Sequence, residues 1–160
     1  MKRYGLSDKI VKVKFNKEQT YMTILPYVRK AQFYETDQMG VIHHSNYIRW
    51  FEEARVDFLE QAGFPYEKVE SMGITLAVLG LSCEYKAPVV FGDTVHVQAR
   101  PKACSHSRMS MDYEVMDAAT GELRTTGETH HFFFRKEDAR PVSLKKAIPE
   151  LYDLFRSFMI

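Results

Sequence analysis

Tyr34-Glu35-Thr36-Asp37-Gln38-Met39-Gly40-Val41-Ile42-His43-His44-Ser45-Asn46-Tyr47, running on into Ile48-Arg49-Trp50-Phe51-Glu52-Glu53-Ala54-Arg55, is the stretch on which the reading of this chain turns. It sets one carboxylate, Asp37, in a glycine-containing loop just ahead of a strongly amphipathic segment. Ile48, Phe51, Ala54, Phe58 and Ala62 recur at helical spacing, widened by Tyr47 and Trp50. Arg49, Glu52, Glu53, Asp57 and Glu60 fall on the other side. The pattern predicts a helix from about Ser45, a suitable N-cap, to Ala62, stopped by Gly63 and Pro65. The first turn of a helix offers unpaired N–H groups at the positive end of its dipole. An acid beside such a turn supplies two parts of a hydrolytic site.

Outward from this stretch the period changes. Tyr27 to Tyr34 reads as a strand, and Tyr66 to Met72 as a second, short helical turn. Leu79, Leu81, Cys83 and Tyr85 then alternate with polar or small residues, as do Val95, Val97 and Ala99, and Met109, Met111, Tyr113 and Val115. A further strand is expected over Leu123 to Arg135, with Phe132-Phe133-Phe134 as a buried run. Pro88, Gly92-Asp93 and Asp117-Ala118-Ala119-Thr120-Gly121 mark the connections. Lys145 to Phe158 reads as a terminal helix. Strand, long helix and four successive strands imply an α+β fold: an antiparallel sheet wrapped around one long central helix. Met72, Leu76, Met109 and Met111 are expected in its core, and Cys83 as a buried thiol.

At 160 residues, 45% hydrophobic and 13% aromatic, the chain is long enough to bury a proper core. Residues 26–160 are taken as one domain. Residues 1–25 are an N-terminal arm in which Ile10 to Phe15 alternates like an edge strand and Asn16 to Gln19 is turn-like. A formal charge of +1 gives no global field for nucleic acid or acidic membranes. No apolar run reaches membrane-spanning length. Two cysteines without Cys-x-x-Cys spacing suit reduced thiols in a cytoplasmic protein.

The stretch from Glu35 to Tyr47, with Trp50, Glu53 and Arg55, resembles the hotdog-fold acyl-CoA thioesterases of the 4-hydroxybenzoyl-CoA thioesterase type. Tyr85-Lys86-Ala87-Pro88 followed by Phe91-Gly92-Asp93 adds to the likeness, which spans roughly residues 27 to 142. The resemblance implies a hotdog fold that works as a homodimer, two sheets joined into one, or as a dimer of dimers. It implies Asp37 as the catalytic carboxylate, and the backbone N–H of His44 as the group that polarises the thioester carbonyl. His43 departs from the family, where many relatives carry an aromatic such as Tyr.

The residues themselves are compatible with that chemistry. Aspartate can serve as nucleophile or as general base, and a helix-start N–H can hold a tetrahedral oxyanion. Taken by its local sequence alone, Asp37 would pass as an ordinary turn aspartate. Asn46 would orient Asp37 or the thioester, or cap the helix; His44 would position substrate or make a simple hydrogen bond. Gly40, His43 and Tyr47 complete the candidate set as substrate-binding positions. His43-His44 do not converge on a metal, and His130-His131 face opposite ways on a strand, so neither a metal nor a cofactor is expected. Lys86, Arg100, Arg108, Arg135 and Lys136 are candidates for coenzyme A phosphates. The expected activity is hydrolysis of acyl-CoA to acid and CoA. Hydrolysis of acyl carrier protein thioesters, or acyl-CoA binding without turnover, are the alternatives.

Overall fold

A computed structural model describes residues 11–15 and 20–159, with side chains from Met22 onward. The expected turn at Asn16 to Gln19 lies outside these residues. Strands β1 (Val11–Phe15) and β2 (Thr20–Ile24) form an antiparallel hairpin with Val11 opposite Ile24. Ile24 is itself buried in the core.

A second, five-stranded sheet carries the domain. Its strands are β3 (Tyr27–Lys30), β4 (Ile74–Tyr85), β5 (Thr94–Cys104), β6 (Arg108–Asp117) and β7 (Leu123–Arg135), in the spatial order β3-β5-β6-β7-β4. Every neighbouring pair is antiparallel. Helix α1 (His44–Gln61) lies on one face and buries Tyr47, Trp50, Phe51, Ala54, Phe58 and Leu59. The inward residues of the central strands, among them Val95, Val97, Met111, Tyr113 and Val115, meet that stripe. This is the α+β arrangement that the period change predicts.

One contact fixes the helix against the sheet. A Cβ on Gly127 in β7 would collide with the Phe51 ring, so only glycine admits the ring at this depth. The same ring stacks on Tyr113 at 4.5 Å. Gly63, at φ +81, ends the helix as its sequence position predicts. Helix α2 (Tyr66–Ser71) then leads into β4.

Four local expectations are corrected. The strand expected to reach Tyr34 stops at Lys30 and gives way to a 3-10 turn over Phe33–Glu35, because Glu35 folds back and accepts the Gln32 N–H at 2.8 Å. The terminal helix is two pieces, α3 (Leu144–Ala147) and α4 (Pro149–Ser157), broken at Ile148 with φ −140 and ψ 73. Proline bars the residue before it from helical geometry, yet is itself favoured at the first helical position. Of the three phenylalanines, only Phe133 is fully buried; Phe132 and Phe134 stack on each other at 5.8 Å on the opposite face. Met72 is exposed and Cys83 half-buried, whereas Met109 and Met111 are core as expected.

Candidate active site

Two loops meet at the start of α1. Asp37 opens a tight turn in which its backbone oxygen accepts the Gly40 N–H at 3.0 Å. Its side-chain Oδ1 accepts the Met39 N–H at 2.8 Å. Gly40 sits at φ +76, which closes the turn and favours a residue without a Cβ. The flanks pair as a small hairpin, Thr36 opposite Ile42. The outgoing side is stitched to the loop before β5, Ile42 donating to the Val89 oxygen at 2.8 Å and Val41 bridging Val90.

The helix then begins at His44, one residue earlier than its sequence suggests, and the cap is His43 rather than Ser45. The His43 ring accepts the Ser45 N–H through Nδ1 at 3.3 Å and lies 2.8 Å from Ser45 Oγ. Asn46 donates its backbone N–H to the His43 oxygen at 3.0 Å. His44 is the remaining residue of this first turn, where backbone N–H groups have no intrahelical acceptor.

Asp37, His44 and Tyr47 share one open cleft of about 310 Å³ with Met39, Tyr85 and Lys86. Tyr47 is buried beneath it, and that burial pushes its phenol above the ordinary tyrosine range. Tyr85 stands at the other wall. Its hydroxyl donates to the His44 backbone oxygen at 3.0 Å, and its ring meets Tyr47 edge-on at 5.2 Å. Burial first, then Cys83 beside it, raise the Tyr85 phenol as well, so it stays neutral. Lys86 pairs with Glu84 at 2.7 Å.

Not every candidate reaches the cleft. Gly40 shapes the turn. His43 faces the helix start, its ring 4.0 Å from that of His44 and tilted against it by 33°. Asn46 is buried and donates its amide to the Glu35 backbone oxygen at 2.8 Å, so it braces the loop instead of orienting Asp37. Among the described residues, no three His, Cys, Asp or Glu side chains gather as a metal site.

The residues that the sequence reading passed over are Tyr85 and Glu35. Both stand inside quoted motifs, but their partners lie 41 and 15 residues away along the chain. Glu35 is 3% exposed, with its carboxylate held by Arg29 at 2.7 Å and by the Trp50 indole N–H at 2.9 Å. Burial pulls its pKa upward, but the Gln32 N–H, Trp50 and Arg29 outweigh this and hold it below the ordinary glutamate value.

A carboxylate and a helix-start N–H on one cleft suit acyl transfer, in which one group delivers oxygen and the other receives developing negative charge. Residues 31–151 match the Thioesterase-like superfamily. The chain belongs to that family. The thioesterase is 33% identical to the crystal structure of a DHNA-CoA thioesterase from Staphylococcus aureus, at TM-score 0.77, covering 81% of this chain and 87% of that one. A hypothetical protein from Aquifex aeolicus is 36% identical at TM-score 0.73, covering 79% of this chain and 97% of that one. A curated 1,4-dihydroxy-2-naphthoyl-CoA hydrolase from Synechocystis is 26% identical over 135 residues, 81% of this chain and 98% of its own length. The fold is the hotdog fold of these thioesterases, and the enzyme is a thioester hydrolase. Among the described residues no helix is long and apolar enough to cross a membrane.

Proposed function

We propose that this enzyme hydrolyses acyl-CoA to free acid and CoA, with the Asp37 carboxylate as nucleophile or general base and the His44 N–H as the oxyanion donor. The observation that carries this reading is the meeting of Asp37 and the first turn of α1 on one cleft. In the reaction a C–O bond forms at the acyl carbon while its carbonyl oxygen takes up charge. The C–S bond then breaks, and the thiolate leaves with a proton that ultimately derives from water. A thioester has a good leaving group, so a carboxylate and one well-placed N–H go far towards what the step needs. An oxyanion donor of this kind is typically worth about 3 kcal/mol.

Two relatives named for dihydroxynaphthoyl-CoA place an aromatic acyl group first among the substrates to try. We also take the working form to be a homodimer or a dimer of dimers. β4 supports this: among the described residues it pairs on one side only, and Val78, Leu79 and Leu81 on it are 40–52% exposed.

The direct test is release of free thiol from benzoyl-CoA, butyryl-CoA and palmitoyl-CoA. Turnover retained in Asp37→Ala would sink the assigned chemistry. Turnover only on carrier-protein thioesters would move the substrate to that class, and none on any thioester would leave an acyl-CoA-binding module.

A further inference from the structure

Glu35 makes more directed contacts around the cleft than either candidate reacting group. Its Oε1 accepts from Arg29 in β3 at 2.7 Å and from the Trp50 indole at 2.9 Å, while its Oε2 accepts the Gln32 N–H at 2.8 Å. Its backbone oxygen accepts two more donors, the His43 N–H and the Asn46 amide, each at 2.8 Å. One residue thus joins an edge strand, the 3-10 turn, the N-cap of α1 and the middle of α1. Asp37 follows two residues later. The other buried acid among the described residues, Asp117, closes its own turn through Ala119 and Thr120 and reaches the cleft only through Arg124, which it pairs with at 3.0 Å and which donates to the Pro88 oxygen; it bonds to neither the Asp37 turn nor the start of α1.

A buried carboxylate is costly unless its oxygens are paired. Here every bond that offsets the cost also fixes geometry: Trp50 ties the carboxylate to the helix body, and His43 and Asn46 tie the same residue to the helix start. The Asp37 turn has little freedom to move relative to the His44 N–H while these bonds hold.

We propose that Glu35 is the positioning residue of this site, setting the separation between the Asp37 carboxylate and the His44 N–H. The proposal rests on the roles assigned above to those two groups. A positioning residue changes the rate of the bound complex more than its formation, because misplacement by about 1 Å can cost about 10²-fold. Trp50 is the one tryptophan in the chain, so its emission reports on the Glu35 contact without a label.

The test compares Glu35→Gln, Trp50→Phe and Asp37→Asn with the unaltered protein, on whichever of the three acyl-CoAs is turned over fastest. Glutamine keeps the size of the side chain and loses the charge that Arg29 meets. The expected result is a kcat lowered about 10–100-fold, KM within about threefold, an unfolding transition that remains cooperative, and a shifted Trp50 emission. Trp50→Phe, which removes the indole donor together with part of the ring volume, should lower kcat about 3–10-fold with KM unchanged. An unchanged kcat in Glu35→Gln overturns the proposal, as does a loss seen wholly in KM. If Glu35→Gln does not fold, Trp50→Phe decides by the same criterion. Turnover surviving in Asp37→Asn, or absent from the unaltered protein on all three substrates, removes the functional reading and this proposal with it. An inactive Asp37→Asn beside a fully active Glu35→Gln removes the positioning role alone.

Discussion

The two edges of the five-stranded sheet are built by opposite means. β3 is 4 residues long, and polar bonds pin the chain around it: Arg29 reaches Glu35 and Glu53, and Tyr27 donates to Glu53 at 3.1 Å. β4 is 12 residues long, has a register shift between Val78 and Gly80, and leaves its apolar side chains partly in solvent. Directed bonds fix positions to fractions of an ångström, whereas apolar contact rewards area with little regard to direction. The candidate site takes its acid loop and helix start from the chain after β3 and its other wall, Tyr85, from the end of β4. Precision of placement is spent where two reacting groups must be held, and the bare apolar edge is left for association.

The sharpest way to break this comparison is at Asp37. Asp37→Ala should lower kcat about 10³-fold, equivalent to about 4 kcal/mol of transition-state stabilisation, with thermal stability unaltered. A thiol-release assay beside a melting curve measures both. A matching fall in stability would mean that the turn is structural.

Acidity separates the two sides next. Burial first, then Arg55 and His130, lower the His131 imidazole from 6.5 to about 3. The unfolded chain therefore binds a proton that the folded core refuses. Stability from this residue is complete above about pH 6.5 and is lost as pH falls towards about 3, on the order of 5 kcal/mol in all. Glu35, held below the ordinary carboxylate value, adds stability that is present above about pH 4.5 and lost only below it. Of the two, His131 alone weakens the fold between pH 6.5 and 4.5. Urea unfolding across that window should show a slope that His131→Leu flattens and Glu35→Gln leaves in place.

Smaller effects follow on the β4 side. Leu81→Lys should weaken self-association about 10–100-fold, read as a drop in mass by light scattering at micromolar concentration. An unaltered protein that is already monomeric at such concentrations would refute the reading of β4 as a subunit edge. Tyr85→Phe, which removes the hydroxyl on the His44 carbonyl, should cost about 3–10-fold in kcat, in line with one neutral hydrogen bond.

Much of this was legible in the chain itself. The 3.6-residue stripe from Phe51 to Ala62, the stop at Gly63 and the period-two runs give the helix and the sheet, since periodicity records which face is buried, although Ile48, read as the start of that stripe, is exposed. It does not record what covers that face. Leu79 and Leu81 alternate like core residues but stand at a sheet edge, half in solvent. Asp37 was visible because its turn is local, formed by Asp37, Met39 and Gly40. Glu35 was not, because its meaning lies in Arg29 on one strand and Trp50 two helical turns away from the cap. The His43 cap was missed for a different reason: an imidazole took the place of the expected serine hydroxyl.

The missing side chain at Gly127 has a consequence at the far end of the helix that faces it. Phe51 follows His44 by seven residues, which is about two turns less 20° and about 10.5 Å along the axis. The two therefore project at nearly the same azimuth. A ring keyed into a notch in the sheet stops α1 from rolling or sliding on that surface. The heading of the first N–H groups is thereby indexed from the middle of the protein, like a dial set by a pin on its shaft. Filling the notch would turn the pointer.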